Sequence, residues 1–186
     1  MQMRKYLFIA IFLVLFSLFP SRGFAIDTAK LIAEVNNERV SNGLVPLVQN
    51  NRLDRAASQK AISLTKIQSL IHTKSQDGVA WSFINDAGYL YEIAGENLAV
   101  NFQSEEEVVS HWMNSPTHRA NILRSDFVDV GVAVAQGKYE DKMADYVVMY
   151  FARPNLALQR EAQIKTLREM IAYLSNLLFV LQSKML

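Results

Sequence analysis

The chain has 186 residues, enough for one domain plus extra segments. Lys and Arg number 19 against 18 Asp and Glu, and this near balance argues against nucleic acid as a partner, which would need a basic face. Cysteine is absent, so disulfides are excluded and an apolar core has to hold the fold together.

Residues 1–25 read as an export signal. Arg4 and Lys5 precede an uncharged apolar run from Leu7 to Phe19, too short for a comfortable membrane span. Gly23-Phe24-Ala25 places small residues at the two positions a signal peptidase reads, which predicts cleavage after Ala25 rather than an uncleaved anchor. Losing this segment removes Arg4, Lys5 and Arg22, leaving 16 basic and 18 acidic side chains, a formal −2.

Asp27 is a predicted N-cap, and Leu31, Ile32, Val35 and Arg39 follow at helical spacing until Gly43. After the connector Pro46-Leu47, a second helix is predicted from about Arg52 to Lys66. Its inward stripe is Leu53, Ala56, Ala57, Lys60, Ala61 and Leu64, small enough for close approach of another element. His72 falls in the polar loop "IHTKSQDG". A short helix is expected over Ala80–Asp86, stopped by Gly88, and "YLYEIAGENLAV" reads as extended with a turn at Gly95. Ser104 and Glu107 form an S-x-x-E capping box for a helix reaching Asn114, with Val108, Val109 and Trp112 inward. In "SPTHRANIL", Ser115 is a predicted cap and Pro116 suits the first helical position. Two strands, 127–135 and 145–152, follow, with "QGKYEDKMA" as the loop between them. Beyond Pro154, Ile164, Leu167, Ile171, Leu174, Leu178, Leu181 and Met185 alternate steps of three and four, an a/d seam on a helix predicted over 161–185.

The three histidines are His72, His111 and His118. His118 lies on the first turn of its helix, where the partly positive N-terminus disfavours imidazolium. A neutral ring there can bind a metal or accept a proton, or can simply hydrogen-bond within a core. Glu96 in "AGENLA" is an acid among apolar neighbours, so it has to be paired, hydrogen-bonded or functional. Two His and one Glu match an open zinc site, yet they are scattered and there is no H-E-x-x-H, so spacing alone does not specify a metal. Pro116 interrupts the helix between His111 and His118, and His111 reads as a surface or packing residue. Asn97 is expected to hold a turn around Glu96, Trp112 to be core or cleft wall, and Arg119 to contact Asp126 or Asp129.

In order along the chain, "LIAEVNNERVSNGLVPLVQNNRLDRAASQKA", "IHT", "AGYLYEIAGENLA", "HWMNSPTHRANIL", "DVGVAVA" and "YVVMYFA" resemble CAP/SCP-domain proteins. That superfamily holds cysteine-rich secretory proteins, antigen 5, plant pathogenesis-related proteins and many bacterial exported proteins, and this chain is similar to the bacterial branch over about residues 28–153. The pairing of "GENLA" with W-x-x-S-P-x-H-R-x-N-I-L is the specific part. The resemblance implies an α+β fold, a three-layer α-β-α sandwich with a mainly antiparallel central sheet, here followed by an amphipathic C-terminal helix. Together with the export segment and the a/d seam read above, it divides the chain into a signal peptide (1–25), a CAP/SCP domain (26–154) and a C-terminal helix (155–186).

The resemblance also implies a cleft around His72, Glu96 and His118, supported by Asn97, Trp112, Ser115 and Arg119, with His72 and His118 able to hold a divalent metal such as zinc. A second Glu of the family pattern, three residues after the Trp, is replaced by Ser115. That departure favours a secreted or cell-envelope binding module for a metal, small ligand or envelope component. The alternative is a metal-dependent hydrolase acting on peptide or cell-wall bonds. No catalytic residue is assigned. The helix 161–185 is expected to self-associate, with membrane-surface docking and folding back as the competing readings.

Overall fold

The computed structural model describes residues 26–72 and 81–184. The predicted signal segment 1–25, the proposed helix start at Ala80 and the seam residue Met185 lie outside the described residues.

Helix α1 (Thr28–Ser41) begins where Asp27 accepts hydrogen bonds from the Ala29 and Lys30 amides, and Gly43 turns away at φ +75°. Strand β1 is only Val48–Gln49. Helix α2 (Asn51–Ile67) is capped by the Asn50 side chain, and all six residues of its predicted stripe are buried. Helix α3 (Ser82–Asp86) is followed by Gly88 at φ +74°, so the predicted stop is real. Strand β2 (Tyr91–Val100) leads into α4 (Glu105–Asn114) and α5 (Pro116–Ile122). Strands β3 (Asp129–Tyr139) and β4 (Lys142–Pro154) precede α6 (Leu156–Lys184).

The sheet order is β1-β3-β4-β2, antiparallel except for the short β1–β3 pair. Strand β4 explains the three layers. Val147, Met149 and Phe151 face α1, α4 and α5, packing with Leu31, Val35, Val108 and Trp112. Tyr146, Val148, Tyr150 and Ala152 alternate to the other face, against Leu53, Ala57, Ala61 and Leu64 of α2. Burial on both faces is why this strand reads as an apolar run. The small residues of α2 meet Gly131 of β3: a Cβ there would run into the Leu53 backbone, so the glycine sets how closely helix and sheet approach.

Several local expectations are corrected. There is no turn at Gly95, and β2 runs through it, pairing Gly95 with Phe151. The glycine is needed for room instead: a Cβ would lie 2.8 Å from the Phe127 ring and 3.0 Å from Asn121 Oδ1. The nine-residue loop between the last strands is also absent. Pairing continues to Tyr139–Lys142, leaving a two-residue turn at Glu140 and Asp141, both at positive φ. Its polar residues alternate along exposed strand ends, and Tyr146 donates to the Lys138 carbonyl at 2.7 Å. In the capping box, Ser104 Oγ accepts from the Glu107 amide at 3.2 Å, but Glu107 reaches back to the Gln103 amide. Helix α6 starts earlier than predicted because Asn155 Oδ1 caps the Leu158 amide. None of its residues is buried, so it is not folded back onto the domain.

Candidate functional site

The sheet order leaves β2 at an edge, where side chains from both helical layers can meet around one strand. Glu96 is 6 % exposed there and faces α2. Its Oε1 lies 2.9 Å from His72 Nδ1, and its Oε2 lies 4.0 Å from Lys60 Nζ without a hydrogen bond among the described residues. Lys60 also donates to the Ile71 carbonyl at 2.6 Å, gripping the residue next to His72. Burial lowers the Lys60 pKa, and the neighbouring Glu96 charge opposes that shift.

The other side of the cleft comes from α4 and α5. The His118 ring centroid is 6.1 Å from that of His72 and 6.1 Å from that of His111. His118 Nδ1 is buried without a hydrogen-bond partner among the described residues. Burial lowers the His118 pKa, and the charges of His72 and His111 add to that effect, so the ring favours its neutral form. The three histidines and Phe102 line a cleft of about 240 Å³ whose floor includes Leu98 and Ala99.

The two motif segments are joined by amides. Asn121 Nδ2 donates to the Glu96 carbonyl at 3.0 Å and to Asn97 Oδ1 at 2.9 Å. Asn97 Nδ2 in turn donates to the His118 carbonyl at 3.1 Å. Asn97 therefore ties β2 to α5 rather than holding a turn. Trp112 is fully buried, and its indole N–H donates to the Leu98 carbonyl at 3.0 Å, under the cleft floor. Ser115 occupies the N-cap position of α5 but its side chain caps nothing; its Oγ lies 3.2 Å from Thr117 Oγ1. Arg119 is exposed and forms no ion pair among the described residues. Asp126 pairs with Arg124 and Arg153 instead, and Asp129 accepts from Tyr89 at 2.7 Å.

Sequence reasoning passed over three members of this arrangement. His111 was separated from His118 by Pro116, yet the break between α4 and α5 turns the two rings toward one cleft. Lys60 read only as part of an inward stripe, although a buried Lys is itself a signal of a nearby acid. Asn121 sat inside the motif without a role, although a polar amide beside buried Ile122 needs partners.

The donor set fits a divalent ion in part. A carboxylate on one ring nitrogen of His72 orients that ring and leaves its other nitrogen for a ligand. Two imidazoles sharing an ion at about 2 Å each place their centroids roughly 5–6 Å apart, close to the spacing seen. Among the described residues no three His, Asp or Glu side chains are near enough to hold an ion together. The described residues thus offer a nitrogen from each of His72 and His118 and a supporting carboxylate from Glu96.

The sequence pattern of the cysteine-rich secretory protein family (CAP) matches residues 32–151. The Bacillus subtilis protein YkwD is 34 % identical over 107 residues, 58 % of this chain and 42 % of that protein. A Bacillus subtilis membrane protein, YlbC, is 27 % identical over 111 residues, 59 % of this chain and 32 % of that protein. The matched part spans less than half the length of either relative. Among solved structures, an outer surface protein of Borrelia burgdorferi superposes with a TM-score of 0.59 at 25 % identity, covering 72 % of this chain and 99 % of that one. An extracellular SCP-domain protein of Bacillus anthracis has a TM-score of 0.56 at 21 % identity, covering 67 % and 39 %, and shares the fold.

Proposed function

Because the chain belongs to the cysteine-rich secretory protein (CAP) family, we propose that it is an exported binding module whose cleft takes a divalent cation between His72 and His118. The observation that carries this reading is the Glu96–His72 bond facing His118, a half-buried, neutral-leaning ring whose buried Nδ1 has no partner among the described residues. His72 and His118 would hold the ion, and Glu96 would orient His72. A bound ion would supply positive charge for an anionic or carbonyl-bearing ligand. The apolar cleft floor favours a ligand with a small apolar part next to that polar group.

Export is supported by the segment 1–25 and by the outer-surface and extracellular origin of the two structural neighbours. Among the described residues no helix is long and apolar enough to cross a membrane. Binding is preferred over hydrolysis because Ser115, engaged with Thr117, stands where a second carboxylate would serve as acid or base.

Calorimetric titration with zinc tests the reading. Wild-type protein should bind with one site per chain, His118→Ala should lose at least tenfold in affinity, and His111→Ala should lose little. Equal losses in both variants would assign the ion to a different pair of histidines. Assays on peptide and cell-wall substrates, with and without chelator, should show no metal-dependent turnover.

A further inference from the structure

The first described residues are held more firmly than a chain end needs. Ile26 is 6 % exposed and its side chain belongs to the core that contains Leu31, Val35 and Trp112. Its main-chain nitrogen donates to Asp145 Oδ2 at 3.2 Å, in a buried setting. The next nitrogen, that of Asp27, donates to Glu105 Oε1. Asp145 is 8 % exposed and Glu105 is 9 % exposed, so two buried acids converge on two successive main-chain nitrogens. The other Asp145 oxygen accepts from the neutral Gln136 amide at 2.9 Å. Among the described residues neither acid has a Lys, Arg or His partner within ion-pair distance. A buried carboxylate without a cation is costly, and a neutral N–H meets only part of that cost.

The sequence places a peptidase site immediately before Ile26. We propose that cleavage between Ala25 and Ile26 supplies the cation, the new Ile26 α-ammonium pairing with Asp145 inside the fold. In that step water adds across the peptide bond under a signal peptidase of the export pathway. The C–N bond breaks, Ala25 leaves with the carboxylate, and the Ile26 amine takes up a proton. An α-ammonium presents three donors where the peptide presents one, so it can serve Asp145 with a charge-assisted bond. Processing then does more than release the protein: it completes a buried ion pair that the unprocessed chain cannot form. Ile26, locked by its side chain, keeps the amine beside the acid.

The test compares the chain starting at Ile26, freed from a fusion without residual residues, with a chain that retains Phe24-Ala25. Urea unfolding should show the processed chain favoured by roughly tenfold or more in its unfolding constant, the scale of a hydrogen bond to a charged group. Asp145→Asn in both backgrounds should remove that gap. A gap that persists in Asp145→Asn would overturn the pairing, and no gap in the wild-type background would overturn the proposal. If Asp145→Asn fails to fold, selective acetylation of the Ile26 amine decides, since it keeps an N–H and removes the charge. An acetylated chain as stable as the free amine would overturn the proposal. So would a mass for the chain secreted by a bacterial host that starts anywhere but Ile26.

Discussion

At the residue scale, the proposed metal binding depends on a neutral His118. Burial holds its folded-state pKa below 6.5. As pH falls through about 6.5, the unfolded chain takes up this proton before the folded one does. Stability from this residue is therefore complete above about 6.5 and declines toward the lowered folded value. In His118→Gln that part of the acid sensitivity should vanish, read from urea midpoints at about pH 7.5 and pH 5; an unchanged pH slope would refute it. Outside the cleft, Arg39 is a buried cation that joins several segments. It is 1 % exposed, and its guanidinium donates to the carbonyls of Val45 (3.0 Å), Ile122 (2.7 Å), Arg124 (2.9 Å) and Phe127 (3.2 Å). Two of these carbonyls lie at the C-terminal end of α5, where a cation also meets the helix dipole. Arg39→Ala should cost about 3 kcal/mol or more, because several buried carbonyls lose their donors together. Arg39→Lys should recover little of that, since one ammonium cannot span the fork. Chemical denaturation measures both, and a Lys variant close to wild type would show that charge alone suffices.

At the scale of elements, two glycines set how helices sit on the sheet. Gly95→Ala presses a methyl onto the Phe127 ring and the Asn121 amide, both side chains that can yield slightly. Gly131→Ala presses it onto the Leu53 backbone, which cannot yield without moving α2. The first change should cost about 1–3 kcal/mol and weaken zinc binding, because Asn121 ties β2 to α5. The second should be the more destabilising of the two. Comparable stabilities would mean that α2 can shift on the sheet. The interlock of Asn97, Asn121 and the His118 carbonyl also explains why "GENLA" and "HRANIL" belong together: one segment supplies acceptors and donors that the other completes.

At the scale of the whole molecule, α6 is tied to the domain at its first turn, where Gln159 donates to the Leu90 carbonyl at 3.4 Å, and the rest of the helix is exposed. The domain buries its own core on both faces of β4, and α6 contributes no buried residue to it. Ile164, Leu167, Ile171, Leu174, Leu178 and Leu181 are 48–63 % exposed, and we propose that this seam is where two copies of the chain meet. Ile at the a positions of the first two full repeats with Leu at d suits helices that pair in parallel, and the uncharged stretch from Met170 to Ser183 would then meet its own copy. Removing residues 156–186 should leave the unfolding midpoint of the domain nearly unchanged and abolish oligomers detected by light scattering. A full-length chain that stays monomeric at tens of micromolar, yet binds lipid vesicles, would make α6 an interfacial helix instead.

Sequence alone determined the elements whose evidence is local. The α2 stripe from Leu53 to Leu64, the Asp27 and Ser104 caps, the stops at Gly43 and Gly88 and the apolar run of β4 all follow from periodicity and backbone chemistry within a few residues. The resemblance carried the three-layer architecture, and the mainly antiparallel sheet packed by helices on both faces agrees with it. Tertiary structure decided whatever depends on partners distant along the chain. Gly95 looks like a turn until Phe127 and Asn121 fill the space beside it. Arg119 looks paired until Arg124 and Arg153 take Asp126. His111 and Lys60 join the cleft because β2 is an edge strand around which two helical layers meet. A side chain's local pattern reports which face of its element it occupies; what lies opposite that face is set by packing between elements, and packing is long-range.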